Sequence, residues 1–290
     1  MGTTKMNAQS IKNQKLHTDD VFPKSEMVSL ESLTNLPSRK GLENAVVSGG
    51  KIVNIVSKSY GHLPNETFLS EVERKLIEAD IKYDINSINR DDRSFAVDYI
   101  LNDDRFIVKI KDGKDVLRPQ LRFINSYDGS CKTTGSFGFY RLVCSNGLMV
   151  AKTQIGFSVK HRGANADIIM PAIAPLVEQF MSNEYYELSR KFEVLSERPI
   201  GNLEDFVRVM AKDFKLFTFE SSEKNPAPSL NARRVIETIQ RETAILGEPA
   251  SLWIGYNALN EVLHNKLKKT FSQQADIDAR IFEGVMSMAQ

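Results

Sequence analysis

Along this 290-residue chain the spacing of apolar residues changes twice, and the two changes narrow its possible folds more than any motif does. After Pro64-Asn65, Phe68, Val72, Leu76 and Ile77 recur at helical intervals. From Ile81 the period falls to two. Ile81, Tyr83 and Ile85 alternate with polar residues, as do Phe95, Val97, Tyr99 and Leu101, and Asn89–Asp92 reads as the turn between them. A strand over Phe106–Lys111 follows, then Asp112-Gly113 as a tight hairpin signal, then strands over Val116–Ser126, Phe137–Cys144 and Leu148–Val159, with Asn146-Gly147 closing the third.

Beyond Arg162 the helical period returns. Ile173, Leu176, Val177, Phe180, Leu188, Phe192 and Leu195 predict one long helix over 168–195, opened by Pro171. Asn202 is placed to cap the next helix, Asn225–Ser229 reads as a linker, and further helices carry Val235, Ile236 and Ile239, then Leu252 to Leu263, then Ile277 to Val285. The expected fold class is α+β: an antiparallel sheet of hairpins packed with a long helix, followed by a helical C-terminal third. Ile52–Val56 reads as a short buried strand. The expected organisation is an N-terminal arm or lead-in over 1–45, an α+β core over 46–200 with a basic sheet, and a helical region over 201–290.

Composition excludes some classes. Apolar residues make up 41% and charged residues 26%, which is a globular balance, and no apolar run is long enough to cross a bilayer. Residues 1–20 are polar, without the apolar stretch of a secretory signal, so a cytoplasmic location is expected, with a virion as the alternative. Cys131 and Cys144 cannot build a disulfide framework, and four scattered histidines suggest no metal site.

The net charge of +1 conceals an asymmetry. Between Arg105 and Gly163 there are eleven basic residues against Asp112, Asp115 and Asp128, a local balance of +8 in a chain otherwise acidic. One-signed fields attract polyanions, although basic strand surfaces also serve simply to prevent sheet association. Alternation sharpens the point. Arg118 and Arg122 share a face opposite Leu117, Leu121 and Phe123; Lys109 and Lys111 lie opposite Phe106, Val108 and Ile110; Lys160 and Arg162 lie opposite Ile155, Phe157 and Val159. Together with Arg141 these residues are the candidate track for a sugar-phosphate backbone, with Phe137, Phe139 and Tyr140 nearby for base stacking.

Asn125-Ser126-Tyr127-Asp128-Gly129-Ser130 concentrates polar side chains in one turn. It reads first as a structured turn, and second as a loop offering N–H groups to phosphate, with Asn125, Ser126, Asp128 and Gly129 as its binding residues. Asn257, Asn260, Glu261 and His264 form a polar stripe at helical spacing, better explained by a hydrogen-bonding seam or a solvated face than by a ligand. No phosphate loop, nucleophile elbow or metal-binding motif is present. The expectation is therefore no catalytic residue, no metal and no cofactor.

Two blocks carry a resemblance. Leu121–Ser130 followed by Phe139–Leu148, and Ser251–Glu261 with its Trp253, Tyr256 and Asn257, look like the core of a phage/plasmid-like family known as domain of unknown function 932. Tyr127 stands where that family usually has histidine, and Gly147 where it prefers threonine. The resemblance extends from about Ile52 to Met288 and implies a phage or mobile-element origin without implying a chemistry. The combined expectation is a nucleic-acid-binding protein, with single-stranded DNA favoured and strand annealing as an analogous activity. The alternative is a non-enzymatic protein-interaction module, a virion component or an inhibitor of host defence, whose basic face meets an acidic protein surface. No membrane partner is expected, and self-association is compatible with either reading.

Overall fold

A computed structural model describes residues 24–90, 93–141, 147–148, 156–163, 165–179, 182–222, 225–267 and 271–290. In chain order these residues form β1 (Ser25–Ser29), α1 (Leu30–Thr34), β2 (Asn44–Ser48), β3 (Lys51–Val56), α2 (Asn65–Glu78), β4 (Tyr83–Arg90) and β5 (Ser94–Leu101). They continue with β6 (Val108–Ile110), β7 (Asp115–Ser126), β8 (Thr133–Arg141), β9 (Gly147–Leu148), β10 (Gly156–Val159), α3 (Asn165–Glu178), α4 (Asn183–Glu197) and α5 (Leu203–Asp213). The chain ends with β11 (Glu220–Ser222), β12 (Asn225–Pro228), α6 (Leu230–Leu246), α7 (Leu252–Asn265) and α8 (Phe271–Met288). The fold is α+β, with antiparallel sheets and the C-terminal part helical.

Three sheets are present among the described residues: β1-β2-β3; β10-β8-β7-β5-β4, with β6 on β7 and β9 on β8; and the ribbon β11-β12. The chain divides into two compact units that interleave in sequence. The first draws on Met1–Arg105, Gln120–Phe137 and Ile155–Phe180, the second on Phe106–Pro119, Gly138–Gln154 and Met181–Gln290. This differs from the division at 45 and 200, because β7 and β8 each begin in one unit and end in the other.

In the first unit α2 turns Phe68 onto the inner face of the sheet, where its ring meets Phe95, Phe123 and Phe157 edge-on at 5.5–6.3 Å. Phe157 reaches that position only because its cross-strand partner is Gly135: a Cβ there would lie 2.4 Å from the Phe157 ring. The alternation holds on this face, but β5 is buried on both faces, Ala96, Asp98 and Ile100 included. Residues 25–34, expected as part of an arm or lead-in, form β1 and α1, and β2 begins at Asn44 within that stretch. Ile52 and Ile55, expected to be buried, are about half exposed, since β3 turns only Val56 fully inward.

In the second unit the hairpin expected at Asp112-Gly113 forms, with Lys111–Lys114 as the turn between Ile110 and Asp115. Asp112 and Gly113 have positive φ (54° and 85°), and the Lys114 N–H donates to the Lys111 carbonyl at 3.1 Å. The single helix expected over 168–195 is two helices. The first ends at Glu178, Ser182 caps α4 by accepting from the Tyr185 N–H, and Pro171 lies inside α3 rather than opening it. Asn202 caps α5 as expected, through its side-chain oxygen. Asn225–Ser229 is not a linker: β12 pairs with β11, and Ser229 caps α6. Cys144, Asn146 and the greater part of the expected Leu148–Val159 strand lie outside the described residues.

Candidate nucleic-acid interface

The seven basic residues of the predicted track separate into three groups. Arg141 is fully buried in the second unit. Its Nε donates to Asp115 Oδ2 at 2.7 Å, its Nη1 to Glu242, and its guanidinium lies 5.6 Å from the Trp253 ring centroid. Trp253 Nε1 donates to the same Asp115 oxygen at 2.8 Å. Arg141 is thus removed from the phosphate track. The sequence carried a signal for this: Arg141 falls in phase with Phe137 and Phe139, the inward face of β8.

Arg122 is likewise engaged. It sits directly opposite Asp98 on β5, donates through Nε at 2.5 Å and Nη2 at 2.8 Å, and keeps only 16% of its side chain exposed. Ser87 Oγ donates to the same carboxylate at 2.7 Å. Burial opposes the Asp98 charge, but the Arg122 guanidinium and the Ser87 hydroxyl more than offset it and hold the carboxyl below its ordinary value.

Lys109, Lys111 and Arg118 lie in the second unit, while Arg122, Lys160 and Arg162 lie in the first. Lys109 is exposed on β6, but Lys111 does not share its face, because the strand ends at Ile110 and Lys111 has a left-handed backbone (φ 52°) in the turn. Arg118 is partly buried on β7.

Lys160 and Arg162 are exposed at the end of β10. The pairing of β10 with β8 ends at Val159–Thr133; Lys160 follows Val159 and Lys132 precedes Thr133, so two exposed lysines, the second outside the predicted track, flank the same end of the strand pair. Ser158 and Thr134 form the preceding pair. Lysines at one end of a strand pair repel one another, so this corner gains from an anion between them.

The adjoining turn is built as a support. Asn125 is fully buried; its Nδ2 donates to the Leu63 carbonyl at 3.0 Å and to Asn65 Oδ1 at 2.8 Å, and its Oδ1 accepts from Thr133 Oγ1 at 2.8 Å. Ser126 Oγ closes the turn, donating to the Cys131 carbonyl at 2.9 Å and accepting from the Cys131 N–H at 3.2 Å. These two are corrected from binding residues to structural ones, because their polar atoms are spent on the protein. Asp128 accepts from the Ser130 N–H at 2.9 Å, and Gly129 (φ 71°) is exposed at the tip. Tyr60 donates to the Tyr127 carbonyl at 3.1 Å, and Asn54 to the Asp128 carbonyl at 2.9 Å.

Sequence reasoning missed the histidines beneath this turn. His161 stands between Lys160 and Arg162, with Nδ1 3.2 Å from the Gly61 carbonyl and Nε2 3.1 Å from the Cys131 carbonyl, and its ring stacks on Tyr60 at 5.3 Å. His62 Nε2 lies 3.1 Å from Ser25 Oγ, its ring tilted against Tyr127 at 5.4 Å. Tyr127 OH accepts the Asn65 N–H at 3.0 Å and so fixes the start of α2. The only hint in the sequence was the pair Lys160 and Arg162 flanking a histidine.

The stripe on α7 is buried rather than solvated. Asn257 and Asn260 are inaccessible, and Glu261 meets Arg241 at 2.9 Å and Thr238 at 3.3 Å on α6. Among the described residues no three His, Cys, Asp or Glu side chains converge to hold a metal, and no helix is long and apolar enough to cross a membrane.

These features define an α+β protein whose motif blocks are mainly architectural: one supports a basic corner, and the other plants Trp253 and Tyr256 in the core of a helical unit. The family model described as "Domain of unknown function (DUF932)" matches residues 53–281, and the chain belongs to that family. Neither the curated proteins nor the solved structures yielded a match to the chain.

Proposed function

We propose that this protein, of phage or mobile-element origin as the resemblance implies, is a non-enzymatic nucleic-acid-binding protein that holds a single-stranded sugar-phosphate backbone at the corner formed by Lys132, Lys160 and Arg162. The observation that carries the reading is the presence of two exposed lysines, Lys132 and Lys160, at the same end of the β8–β10 pair, next to the Ser158–Thr134 pair. Cations contact phosphates without regard to sequence, and the exposed Ser158 hydroxyl adds a hydrogen bond to phosphate or sugar, while the Thr134 hydroxyl already donates to the Lys132 carbonyl at 3.2 Å. The corner is small. It suits a flexible single strand, which can bend to bring successive phosphates to it, better than a rigid duplex.

The test is a titration of labelled oligothymidylate and of a duplex at two salt concentrations. The expected result is preferential single-strand binding that weakens with salt, with a log–log slope of about −0.7 per phosphate contact. Replacing Lys132 and Lys160 together by Gln flattens that slope by about 1.4 while leaving the melting temperature unchanged. Absence of binding at low salt overturns the proposal in favour of an acidic protein surface as partner.

A further inference from the structure

His161 occupies a position that its neutral form cannot fully satisfy. Both ring nitrogens face backbone carbonyl oxygens, Gly61 at 3.2 Å and Cys131 at 3.1 Å, and a carbonyl oxygen only accepts. A neutral imidazole has one N–H. It bonds one carbonyl and turns a lone pair toward the other. The imidazolium has two N–H groups and bonds both.

The two carbonyls belong to the two segments that frame the basic corner. Cys131 precedes Lys132, and Gly61 belongs to the 57–63 segment, which also receives the Gly163 N–H at the Ser59 carbonyl at 2.7 Å. The Arg162 N–H donates to the Lys160 carbonyl at 2.8 Å, so His161 sits at the apex of a three-residue turn with the two cations on either side. The ring is the tie between the strand end that carries Lys160 and Arg162 and the strand start that carries Lys132.

From this we infer that His161 is the positioning residue of the phosphate site, and that binding of a polyanion is coupled to uptake of a proton by its ring. This rests on the reading of the corner as a phosphate site. The imidazolium closes both ties and adds a positive charge between the segments that carry Lys132, Lys160 and Arg162. Without an anion that charge is unfavourable, because the ring is buried. The remaining neighbours divide. The Asp128 carboxylate and the two carbonyls favour the proton, the Tyr60 ring stacks on either form, and a proton on His161 disfavours one on His62. Burial is the largest of these effects and lowers the proton affinity of His161 below the ordinary histidine value. The free protein therefore holds the ring neutral near neutrality, and phosphate charge above it reverses the balance.

By linkage, affinity for a polyanion rises as pH falls through the histidine range, by up to about tenfold per pH unit for one proton. Two measurements test this. The first is binding of oligothymidylate between about pH 5 and 8 at constant ionic strength, for the wild type, His161→Gln and His62→Gln. The wild type and His62→Gln are expected to bind more tightly at the acid end, and His161→Gln to show a flat profile. The second, on the unmodified protein, follows the His161 ring by NMR with and without the oligonucleotide; its titration midpoint is expected to move up on binding. A pH-independent wild type, a slope lost in His62→Gln and kept in His161→Gln, or an unmoved midpoint overturns the proton link and leaves the binding reading standing. A wild type that binds at no pH removes both.

Discussion

Arg141 and Lys160 come from the same strongly basic stretch of sequence and end in opposite circumstances. Arg141 is enclosed among Asp115, Glu242 and Trp253, with none of its surface open to solvent. Lys160 stands in solvent at the end of a strand pair where a second exposed lysine, Lys132, also lies. What separates them is strand parity and the residue across the ladder. An arginine in phase with apolar neighbours is carried inward and survives only with carboxylates to meet it, whereas a lysine out of phase stays in water. A local excess of +8 is therefore not a surface charge of +8, and the functional share of it is what remains after the interior has taken its part.

The largest effect that could break this contrast lies at Arg141. Its replacement by Met strands two buried carboxylates, and a loss of about 3–5 kcal/mol is expected in urea-induced unfolding. Adding Asp115→Asn and Glu242→Gln to the variant is expected to restore part of that stability, because the charges left behind account for much of the cost. An Arg141→Met protein as stable as the wild type would mean that the cluster is open to solvent.

Asp98 tests the intermediate case, a cross-strand pair that is enclosed but for a sixth of the arginine side chain. Asp98→Asn is expected to cost about 2–3 kcal/mol at neutral pH, since Arg122 loses its charge partner in a site with little water. The sign of the pH dependence follows from the direction of the shift. A carboxyl held below its unfolded value of about 3.9 contributes its full stability above that value and loses it as pH falls through the lower, folded value. Wild type and Asp98→Asn are thus expected to converge in stability under strongly acid conditions. A constant difference from neutrality to acid would assign the effect to packing rather than charge.

Much of the architecture was written in the spacing of residues. The change of period at both ends of the sheet, the Asp112-Gly113 turn and the Asn202 cap are local signals, and each acts where it stands in the sequence. What escaped detection depended on partners distant in sequence. Nothing near Arg122 announces Asp98, and nothing near Arg141 announces Glu242, which is about a hundred residues away. The break between α3 and α4 was hidden because Leu188, Phe192 and Leu195 keep the helical rhythm of Ile173 and Leu176, although α3 ends at Glu178 and Ser182 caps a new helix. At the basic corner Lys160 and Arg162 were legible from alternation, but Lys132 needed the register and His161 needed two carbonyls brought in by the fold.

The edge strand offers a sharper test of how the corner is held. Gly135→Ala places a methyl group against the Phe157 ring, which must move for β10 to stay paired. The expected cost is about 1–2 kcal/mol. Because Lys160 follows β10, oligothymidylate affinity is expected to fall as well. Gly201→Ala, where the added carbon meets nothing within 4 Å, serves as the control.

The smallest change in stability belongs to Lys132, and there the sign carries the information. A residue kept for packing loses stability when replaced; a residue kept for a partner does not. Lys132→Glu removes a repulsion with Lys160 and installs an attraction at the same strand end, for an expected gain of about 0.2–1 kcal/mol that shrinks as salt is added. The same substitution puts a negative charge where a phosphate would sit, so oligothymidylate binding at low salt is expected to be lost. Thermal melting and anisotropy on one preparation read both quantities. Stability and binding moving in opposite directions would mark the corner as a surface retained for an anionic partner at the expense of the fold. A stability loss at Lys132→Glu would instead place that side chain among the enclosed charges, on the same side of the contrast as Arg141.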